Sequence, residues 1–367
     1  MAEKIYGLPE FPCERDVWDC LKNERRPIVV YGMGNGADKL FRRFETYGIK
    51  ACEIFASDGF VRGHSYRGYK VKSFSEIKER YSDFVIVLSF ASNRREVIDM
   101  LSAIDKSYEL YIPDMPVADE SEYFDKEFYN QNYERIVKVY NSLADSKSRN
   151  IYAATLHYKL SGKLEYLLNS FVSRDKMYSL LPTDNIRVAL DLGAYNGDTA
   201  REAIEYFPSL AKIYAVEPDR KNYKRLLKFA EKSEKEIFTV NAAAWSESAS
   251  GSFQGSGNRN SSVSSTASYE HKSDEVELIT VDSLNLSELD YIKYDVEGAE
   301  YEALLGSCET VRRLSPSLLV SLYHRSRDIF ALPEYLEKEY ESYKFYVRRL
   351  ESVPAWELNL IMIPNLK

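Results

Sequence analysis

The chain has 367 residues, 44% of them hydrophobic, and a formal net charge of −8. This length exceeds what a single hydrophobic core usually organises, so at least two domains are expected. An acidic chain without a dense block of lysine and arginine has little electrostatic attraction for DNA or RNA. We therefore expect a small-molecule or glycan substrate and no nucleic-acid partner.

The four cysteines, Cys13, Cys20, Cys52 and Cys308, form no Cys-x-x-Cys pair. Such sparse cysteines indicate a reducing compartment rather than a disulfide framework. No stretch approaches 18 consecutive apolar residues, and the first residues lack the apolar segment of a signal peptide. The sequence thus predicts a soluble cytoplasmic protein without a membrane span.

Strands and helices alternate in the predicted structure of residues 1–117. The apolar runs "PIVVYG", "KACEIFASD" and "DFVIVLSF" are separated by patterns of helical period. This alternation predicts a parallel sheet and hence a small α/β domain of the Rossmann-like type. Residues 118–183 contain apolar positions at helical spacing and almost no glycine or proline, so they are predicted to form a helical connector with three helices.

The loop after the first strand, "VVYGMGNGADKL", has the glycine pattern of a phosphate-binding turn. Its candidate residues are Gly32, Gly34, Asn35 and Gly36, with Asp58 after the second strand as a ribose ligand. This domain is predicted to bind a nucleotide or nucleotide sugar. The alternatives are that it mediates homodimerisation or acts as a scaffold.

A second α/β series is predicted over residues 184–367. Five strands alternate with helices, and "YKFYVRRL" and "WELNLIMIP" follow with too little chain between them for a helical crossover. They are therefore expected to pair as an antiparallel hairpin. Five parallel strands followed by such a hairpin is the order of the class I methyltransferase sheet.

A second glycine loop, "LDLGAYNGDTA", follows the first of these strands. It differs from the first loop by carrying Asp191 and Asp198, which would repel a pyrophosphate. S-adenosylmethionine has no phosphate and carries a sulfonium and an ammonium, so an acidic, glycine-tight loop suits it. Glu217 is spaced to accept both ribose hydroxyls, whereas Asp198 has the alternative role of capping the next helix.

The motifs "VALDLGAYNGDT", "YAVEP", "NAAAW" and "YIKYDVEGAE" resemble, in this order, those of the FkbM family of S-adenosylmethionine-dependent methyltransferases. The resemblance implies O-methylation of a hydroxyl on a sugar, polysaccharide or secondary metabolite. It also implies the cofactor-binding residues Asp191, Gly193, Ala194, Tyr195, Asn196, Gly197, Asp198, Thr199, Glu217, Pro218, Asn241, Ala242 and Ala243. For Tyr195 two orientations remain open, into the methionine pocket or outward.

Catalytic residues are expected at the carboxyl ends of the fourth and fifth strands, where open α/β sheets bind their ligands. Asp295 and Glu297 would point to one side of a regular strand and serve as base and orienter. His324, with an ordinary pKa of about 6.5, is predicted to act as a base at neutral pH or to bind the substrate. A divalent metal on the two acids is the less favoured alternative, because the chain lacks the Asp-Asn pair of metal-dependent relatives.

Residues 246–273 form a serine-rich, low-complexity segment, predicted to be a loop or a flap over the site. Two other functions compete with the methyltransferase prediction. One is an NAD-dependent or nucleotide-sugar-dependent enzyme centred on the first glycine loop. The other is a non-catalytic nucleotide-binding protein.

Overall fold

The computed structural model describes residues 4–57, 59, 61, 63, 65–118, 121–254, 262–264 and 274–365. These residues form two largely parallel sheets with a block of helices between them, which confirms the predicted α/β class. Within the described ranges, every helix is too short or too polar to cross a membrane. Asp58 and His271 lie outside the described residues.

The first sheet has the strand order β3-β4-β2-β1-β5-β6, and its neighbours are parallel except in the β3–β4 hairpin. Its strands β1 and β5 are buried throughout, as expected for a parallel sheet covered on both faces. The elements of this region are α1 (Val17–Lys22), β1 (Ile28–Tyr31), α2 (Asn35–Tyr47), β2 (Glu53–Ala56), β3 (Ser65–Tyr66), β4 (Tyr69–Ser73), α3 (Phe74–Arg80), β5 (Val85–Leu88), α4 (Arg95–Asp105) and β6 (Glu109–Tyr111).

Five helices connect the two sheets, where the sequence predicted three. They are α5 (Lys126–Gln131), α6 (Tyr133–Ser142), α7 (Ser146–Ser161), α8 (Leu164–Leu168) and α9 (Arg174–Tyr178). Helix α7 is buried on nearly all sides, so it occupies the centre of the molecule rather than its surface. Its buried Lys159 forms an ion pair of 2.6 Å with Asp114, which ties the helix to the end of the first region.

The second sheet has the order β9-β8-β7-β14-β15-β17-β16. The first five strands are parallel and the last two form the predicted antiparallel hairpin. The elements are β7 (Val188–Leu192), α10 (Asp198–Tyr206), β8 (Lys212–Val216), α11 (Arg220–Ala230), β9 (Glu236–Val240), β10 (Ala243–Ala244), β11 (Ala249–Gln254), β12 (Ser262–Ser264), β13 (Asp274–Ile279), β14 (Tyr291–Tyr294), α12 (Glu300–Leu305), α13 (Cys308–Leu314), β15 (Ser317–Ser321), α14 (Asp328–Glu339), β16 (Tyr343–Arg349) and β17 (Leu358–Pro364).

The serine-rich segment contributes two strands, β11 and β12, to a small separate sheet of order β10-β13-β11-β12. The prediction of a loop is therefore wrong for these strands. Strand β11 is held by antiparallel backbone pairing with β13, a partner that composition does not reveal. Residues 255–261 and 265–273 of the segment lie outside the described residues.

The end of the first region packs on the second sheet. The backbone N–H groups of Val117 and Ala118 donate to the carbonyl oxygen of His324 at 3.1 and 2.9 Å. Gly298 lies so close that a Cβ there would stand 2.6 Å from the Cβ of Ala118. A second link joins Ser92 and Val353 through two backbone hydrogen bonds.

Candidate active site

The turn between β7 and α10 brings backbone unusually close to the neighbouring strand. Gly193 has φ +83°, and a Cβ at this position would overlap the carbonyl oxygen of Asp295. Gly197 has φ +86°, and a Cβ there would overlap the ring of Phe229. Only glycine combines this conformation with this proximity. The loop therefore presents bare backbone at the carboxyl edge of the sheet.

Glu217 lies at the end of β8 and is 6% exposed. Its carboxylate accepts hydrogen bonds from the N–H of Tyr195 at 2.8 Å and of Asp219 at 2.9 Å. Burial raises the pKa of Glu217 to about 7, although these two N–H donors oppose the shift. Asn241 donates from Nδ2 to the carbonyl oxygens of Glu217 and Pro218, so the ends of β8 and β9 are joined.

Asp191 lies beneath the glycine loop and is 5% exposed. Its carboxylate accepts a hydrogen bond from the hydroxyl of Thr199, which fixes α10 to β7. Lys293 pairs with Asp191 in the register of β7 and β14, and its Nζ lies 3.8 Å from the Asp191 carboxylate. Burial raises the pKa of Asp191, with Lys293 opposing the shift.

Asp295 follows β14 and is held by three donors. Its Oδ1 accepts from the hydroxyls of Ser321 at 2.9 Å and Tyr323 at 3.0 Å, and its Oδ2 lies 2.9 Å from Lys293 Nζ. Burial opposes ionisation, but the nearby cations, led by Lys293, bring the pKa of Asp295 well below its ordinary value. Asp295 is therefore an ionised carboxylate in a fixed orientation at neutral pH.

His324 is fully buried beneath the acids that follow β14. Its Nδ1 lies 2.9 Å from Glu300, and its Nε2 lies 3.6 Å from Asp295 and 3.6 Å from Glu297. Burial lowers the pKa of His324, but the three carboxylates, led by Glu300, outweigh it and raise the pKa to about 10. The surrounding carboxylates therefore favour the protonated form of His324, and its predicted role in catalysis stays a prediction.

Asp295 and Glu297 belong to the turn after β14, because the strand ends at Tyr294. The expectation that a regular strand aligns them is therefore wrong. Glu297 has φ +55°, a left-handed backbone conformation that is uncommon for a residue other than glycine. Both acids nevertheless lie in one pocket.

Among the described residues, Asp295, Glu300 and His324 could each offer one metal-ligating atom within 4.8 Å of one another. Asp295 already accepts from Ser321 and Tyr323 at Oδ1, and the Lys293 ammonium beside its Oδ2 would repel a cation. These contacts fit a divalent ion poorly and fit a hydrogen-bonded ionic cluster well.

One pocket collects most of the predicted site residues. The predicted residues that line it are Gly193, Tyr195, Asp198, Thr199, Glu217, Pro218, Ala242, Ala243, Asp295 and Glu297. Those that do not line it are Asp191, Ala194, Asn196, Gly197, Asn241 and His324. Tyr195 is among the lining residues, and the orientation of its ring stays a prediction.

Two pocket residues were not predicted, Lys293 and Tyr323, and both bind Asp295. A signal existed for each, because Lys293 stands two positions before Asp295 and Tyr323 two positions after Ser321. Further lining residues come from the connector and the C-terminal hairpin, and no motif marks them. They are Arg174, Met177, Tyr178, Leu350, Glu357 and Asn359.

The first glycine loop is surrounded differently. Gly32 and Gly34 have φ +115° and +92°, and a Cβ at Gly36 would overlap the carbonyl oxygen of Ser89. Lys39 donates from Nζ to the carbonyl oxygens of residues 116 and 117, at 2.8 and 2.9 Å. Gly32, Gly34, Asn35 and Gly36 do not line the pocket described above. A nucleotide site at this loop stays a prediction.

Five parallel strands, an antiparallel hairpin and a pocket at the carboxyl edge together define a class I methyltransferase fold. Residues 191–346 match the family model described as a methyltransferase FkbM domain. The resemblance to the FkbM family that the motifs predicted is thus confirmed over residues 191–346. No curated protein matches the chain.

Solved structures similar to this chain include methyltransferase FkbM from Methylobacillus flagellatus KT. It is 18% identical, with a TM-score of 0.70, and the alignment covers 97% of this chain and 94% of that one. Fibrillarin from Aeropyrum pernix is 17% identical, with a TM-score of 0.34, covering 51% of this chain and 73% of that one. Precorrin-6y C5,15-methyltransferase from Geobacter metallireducens GS-15 is 16% identical, with a TM-score of 0.32, covering 52% and 85%.

Proposed function

We propose that the protein transfers a methyl group from S-adenosylmethionine to a hydroxyl on a sugar, polysaccharide or secondary metabolite. The observation that carries this proposal is the ionised Asp295 carboxylate, held by three donors in the same pocket as Glu217. A cofactor acid and an acceptor acid thus share one cavity.

The cofactor half of the proposal rests on Glu217 and the glycine loop. Each oxygen of the Glu217 carboxylate accepts one backbone N–H and retains a lone pair for a ribose hydroxyl. The small side chains of Ala242, Ala243 and Ala244 leave room for a flat adenine beside it. The bare backbone at Gly193 accommodates the methionine end.

The acceptor half rests on Asp295. In the transfer, the acceptor oxygen forms a bond to the methyl carbon while the carbon–sulfur bond breaks. The electron pair of the carbon–sulfur bond stays on sulfur, and neutral S-adenosylhomocysteine leaves. The hydroxyl proton passes to the Asp295 carboxylate. The attacking hydroxyl becomes strongly acidic as its oxygen bonds to the methyl carbon, so a carboxylate of low pKa is still an adequate proton acceptor. The fixed orientation of this carboxylate also aligns the reactants.

Calorimetric titration with S-adenosylhomocysteine tests the cofactor half. We expect binding by the wild type and a loss of about tenfold or more in Glu217→Ala, because charged hydrogen bonds to ribose are removed. Glu205→Ala is the matched control, since Glu205 is an exposed acid of α10 outside the pocket. Binding of NADH without binding of S-adenosylhomocysteine would contradict the proposal.

Transfer of a ¹³C-methyl group tests the acceptor half. The enzyme is incubated with labelled S-adenosylmethionine and a mixture of free glycans and hydroxylated metabolites, and the product is analysed by NMR. We expect the label at the chemical shift of a methyl ether. A label found only on nitrogen or carbon would refute O-methylation.

A further inference from the structure

The pocket carries more negative than positive side chains. Its carboxylates are Asp198, Glu202, Glu217, Asp295, Glu297 and Glu357, and two of its described lining residues, Arg174 and Lys293, are cationic. The sulfonium and ammonium of S-adenosylmethionine suit such a lining. The α-carboxylate of S-adenosylmethionine does not suit this lining, because the acidic side chains would repel it unless a cation lies beside it.

Lys293 is poorly placed to meet that carboxylate. Its Nζ lies 2.9 Å from Asp295 and 3.8 Å from Asp191, and its side chain is only 11% exposed. Burial lowers the pKa of Lys293, but the two carboxylates, led by Asp295, raise it above its ordinary value. The charge of Lys293 is therefore already neutralised by residues of the protein.

Burial lowers the pKa of Arg174, but Glu202 and then Glu357 raise it above its ordinary value, so Arg174 too has acidic neighbours. It differs from Lys293 in its exposure and in the hydrogen bonds that it makes. It begins α9, its side chain is 49% exposed, and it lines the pocket. Among the described residues it makes one side-chain hydrogen bond, from Nε to Glu202 at 2.9 Å. The two Nη groups are thus available for the bidentate contact that a carboxylate favours.

Arg174 also lies at the end of the pocket where the proposed function places the methionine portion of the cofactor, beside the glycine loop. Its partner Glu202 is one helical turn beyond Asp198, at the start of α10 beside the glycine loop. One turn is about 5.4 Å, which an arginine side chain spans. Resting on the proposed function, we infer that Arg174 binds the α-carboxylate of the methionine end of the cofactor and that Glu202 orients it. This contact joins the connector to a domain that begins 17 residues later, since the FkbM match spans residues 191–346.

A comparison of two ligands tests this role. S-adenosylhomocysteine carries the α-carboxylate, whereas 5′-methylthioadenosine retains the nucleoside and lacks the amino-acid portion. In calorimetric titration, Arg174→Gln is expected to weaken S-adenosylhomocysteine binding about tenfold or more, because one charged hydrogen-bonding pair is lost. The affinity for 5′-methylthioadenosine should stay at the wild-type value.

Two further variants separate direct binding from indirect effects. Lys176→Gln removes one positive charge from the same helix outside the pocket and should leave both affinities unchanged. The double variant Arg174→Gln/Glu202→Gln removes the unpaired acid as well and should still lose the preference for S-adenosylhomocysteine. Restoration of that preference in the double variant would overturn the inference.

The remaining outcomes distinguish this inference from the proposed function. If wild type binds both ligands and Arg174→Gln leaves their affinity ratio unchanged, the inference is wrong and the proposed function stands. The same conclusion follows if both affinities fall equally. If wild type binds neither ligand, the proposed function fails and the inference fails with it.

Discussion

The two glycine loops occupy equivalent positions in their sheets. Each follows a central parallel strand, and each has one glycine against the carbonyl at the end of the neighbouring strand. Gly36 meets Ser89 in the first sheet, and Gly193 meets Asp295 in the second. Glycine spacing therefore reports how tightly a turn packs in a parallel sheet, which is common to both loops, and does not identify a ligand.

The loops differ in the side chains around them. At the second loop, Glu217 binds the N–H of Tyr195 and faces a pocket with several other acids. At the first loop, the cation Lys39 binds carbonyls at the end of its own region. The hydroxyl of Tyr66 donates to Asp38 at 2.6 Å and lies 3.0 Å from the carbonyl oxygen of Gly34. The placement of charge thus separates two turns that both set a glycine against a neighbouring carbonyl.

The largest effect is expected from Gly193→Ala. Its left-handed backbone and the overlap with Asp295 should lower the free energy of unfolding by about 3 kcal/mol or more. Gly36→Ala, which overlaps Ser89, should lose a similar amount. Urea unfolding and titration with S-adenosylhomocysteine check both variants. Loss of binding in folded Gly36→Ala but not in folded Gly193→Ala would reverse the assignment of the cofactor loop.

Asp295→Asn tests the chemistry beside the second loop. An amide cannot accept the hydroxyl proton, so turnover should fall about 100-fold or more. Affinity for S-adenosylhomocysteine should change little, because the proposed function assigns Asp295 to the acceptor and not to the cofactor. Steady-state rates and calorimetry measure the two effects. Asp184→Asn, an exposed acid outside the pocket, is the control. Equal losses of turnover and affinity would make Asp295 a structural residue.

A pH effect is expected from His324. Its pKa is raised from 6.5 to about 10 in the folded state, so its stabilising contribution is complete below pH 6.5 and disappears as the pH rises through about 10. The free-energy difference between wild type and His324→Gln should therefore decrease between these pH values. The groups that face the imidazole are Asp295, Glu297, Glu300 and Asp328.

The control for this titration is His157→Gln. Burial lowers the pKa of His157, so its contribution changes below pH 6.5 and not above it. Denaturant unfolding at several pH values measures both differences. A flat difference for His324→Gln from pH 6.5 to 10 would show that the imidazole is neutral when folded.

The smallest effect is expected from Gly34→Ala in the first loop. Its φ of +92° strains an alanine, but a Cβ there meets no atom within 4 Å. The free energy of unfolding should fall by about 1 to 2 kcal/mol through strain alone. Affinity for S-adenosylhomocysteine should stay unchanged, and a measurable decrease would indicate that the two loops communicate.

The sequence predicted the strands and the order of the second sheet well, because apolar β-branched runs bounded by glycine are strong signals. It predicted fewer helices than exist, since α5 and α9 span only six and five residues. Such short helices depend on a cap, supplied here by Asp125 and Ser173, rather than on periodicity. Strand β11 was not predicted because it lies in a serine-rich segment. Backbone pairing with β13 holds it in place, and composition does not reveal this pairing.

The candidate site shows the same limit. His324 was predicted as a site residue because imidazole can act as a base near neutral pH. The hydroxyl that donates to Asp295 belongs to its neighbour, Tyr323. Successive side chains of an extended chain point to opposite sides. Since Ser321 donates to Asp295, Tyr323, two positions later, points to the same side, whereas His324 does not. Arg174 could not be predicted, because its role depends on how a separate helix packs against α10.

The contact of residues 117 and 118 with His324 and Gly298 has a consequence for engineering. In a chimera that exchanges the N-terminal region, the crossover should lie before residue 117. Residues 117 and 118 then stay on the same parent sequence as Asp295 and Glu297. A crossover placed after residue 118 would give the recipient an unmatched partner for the turn at Gly298. The useful unit for exchange thus extends upstream of the residues that perform the chemistry.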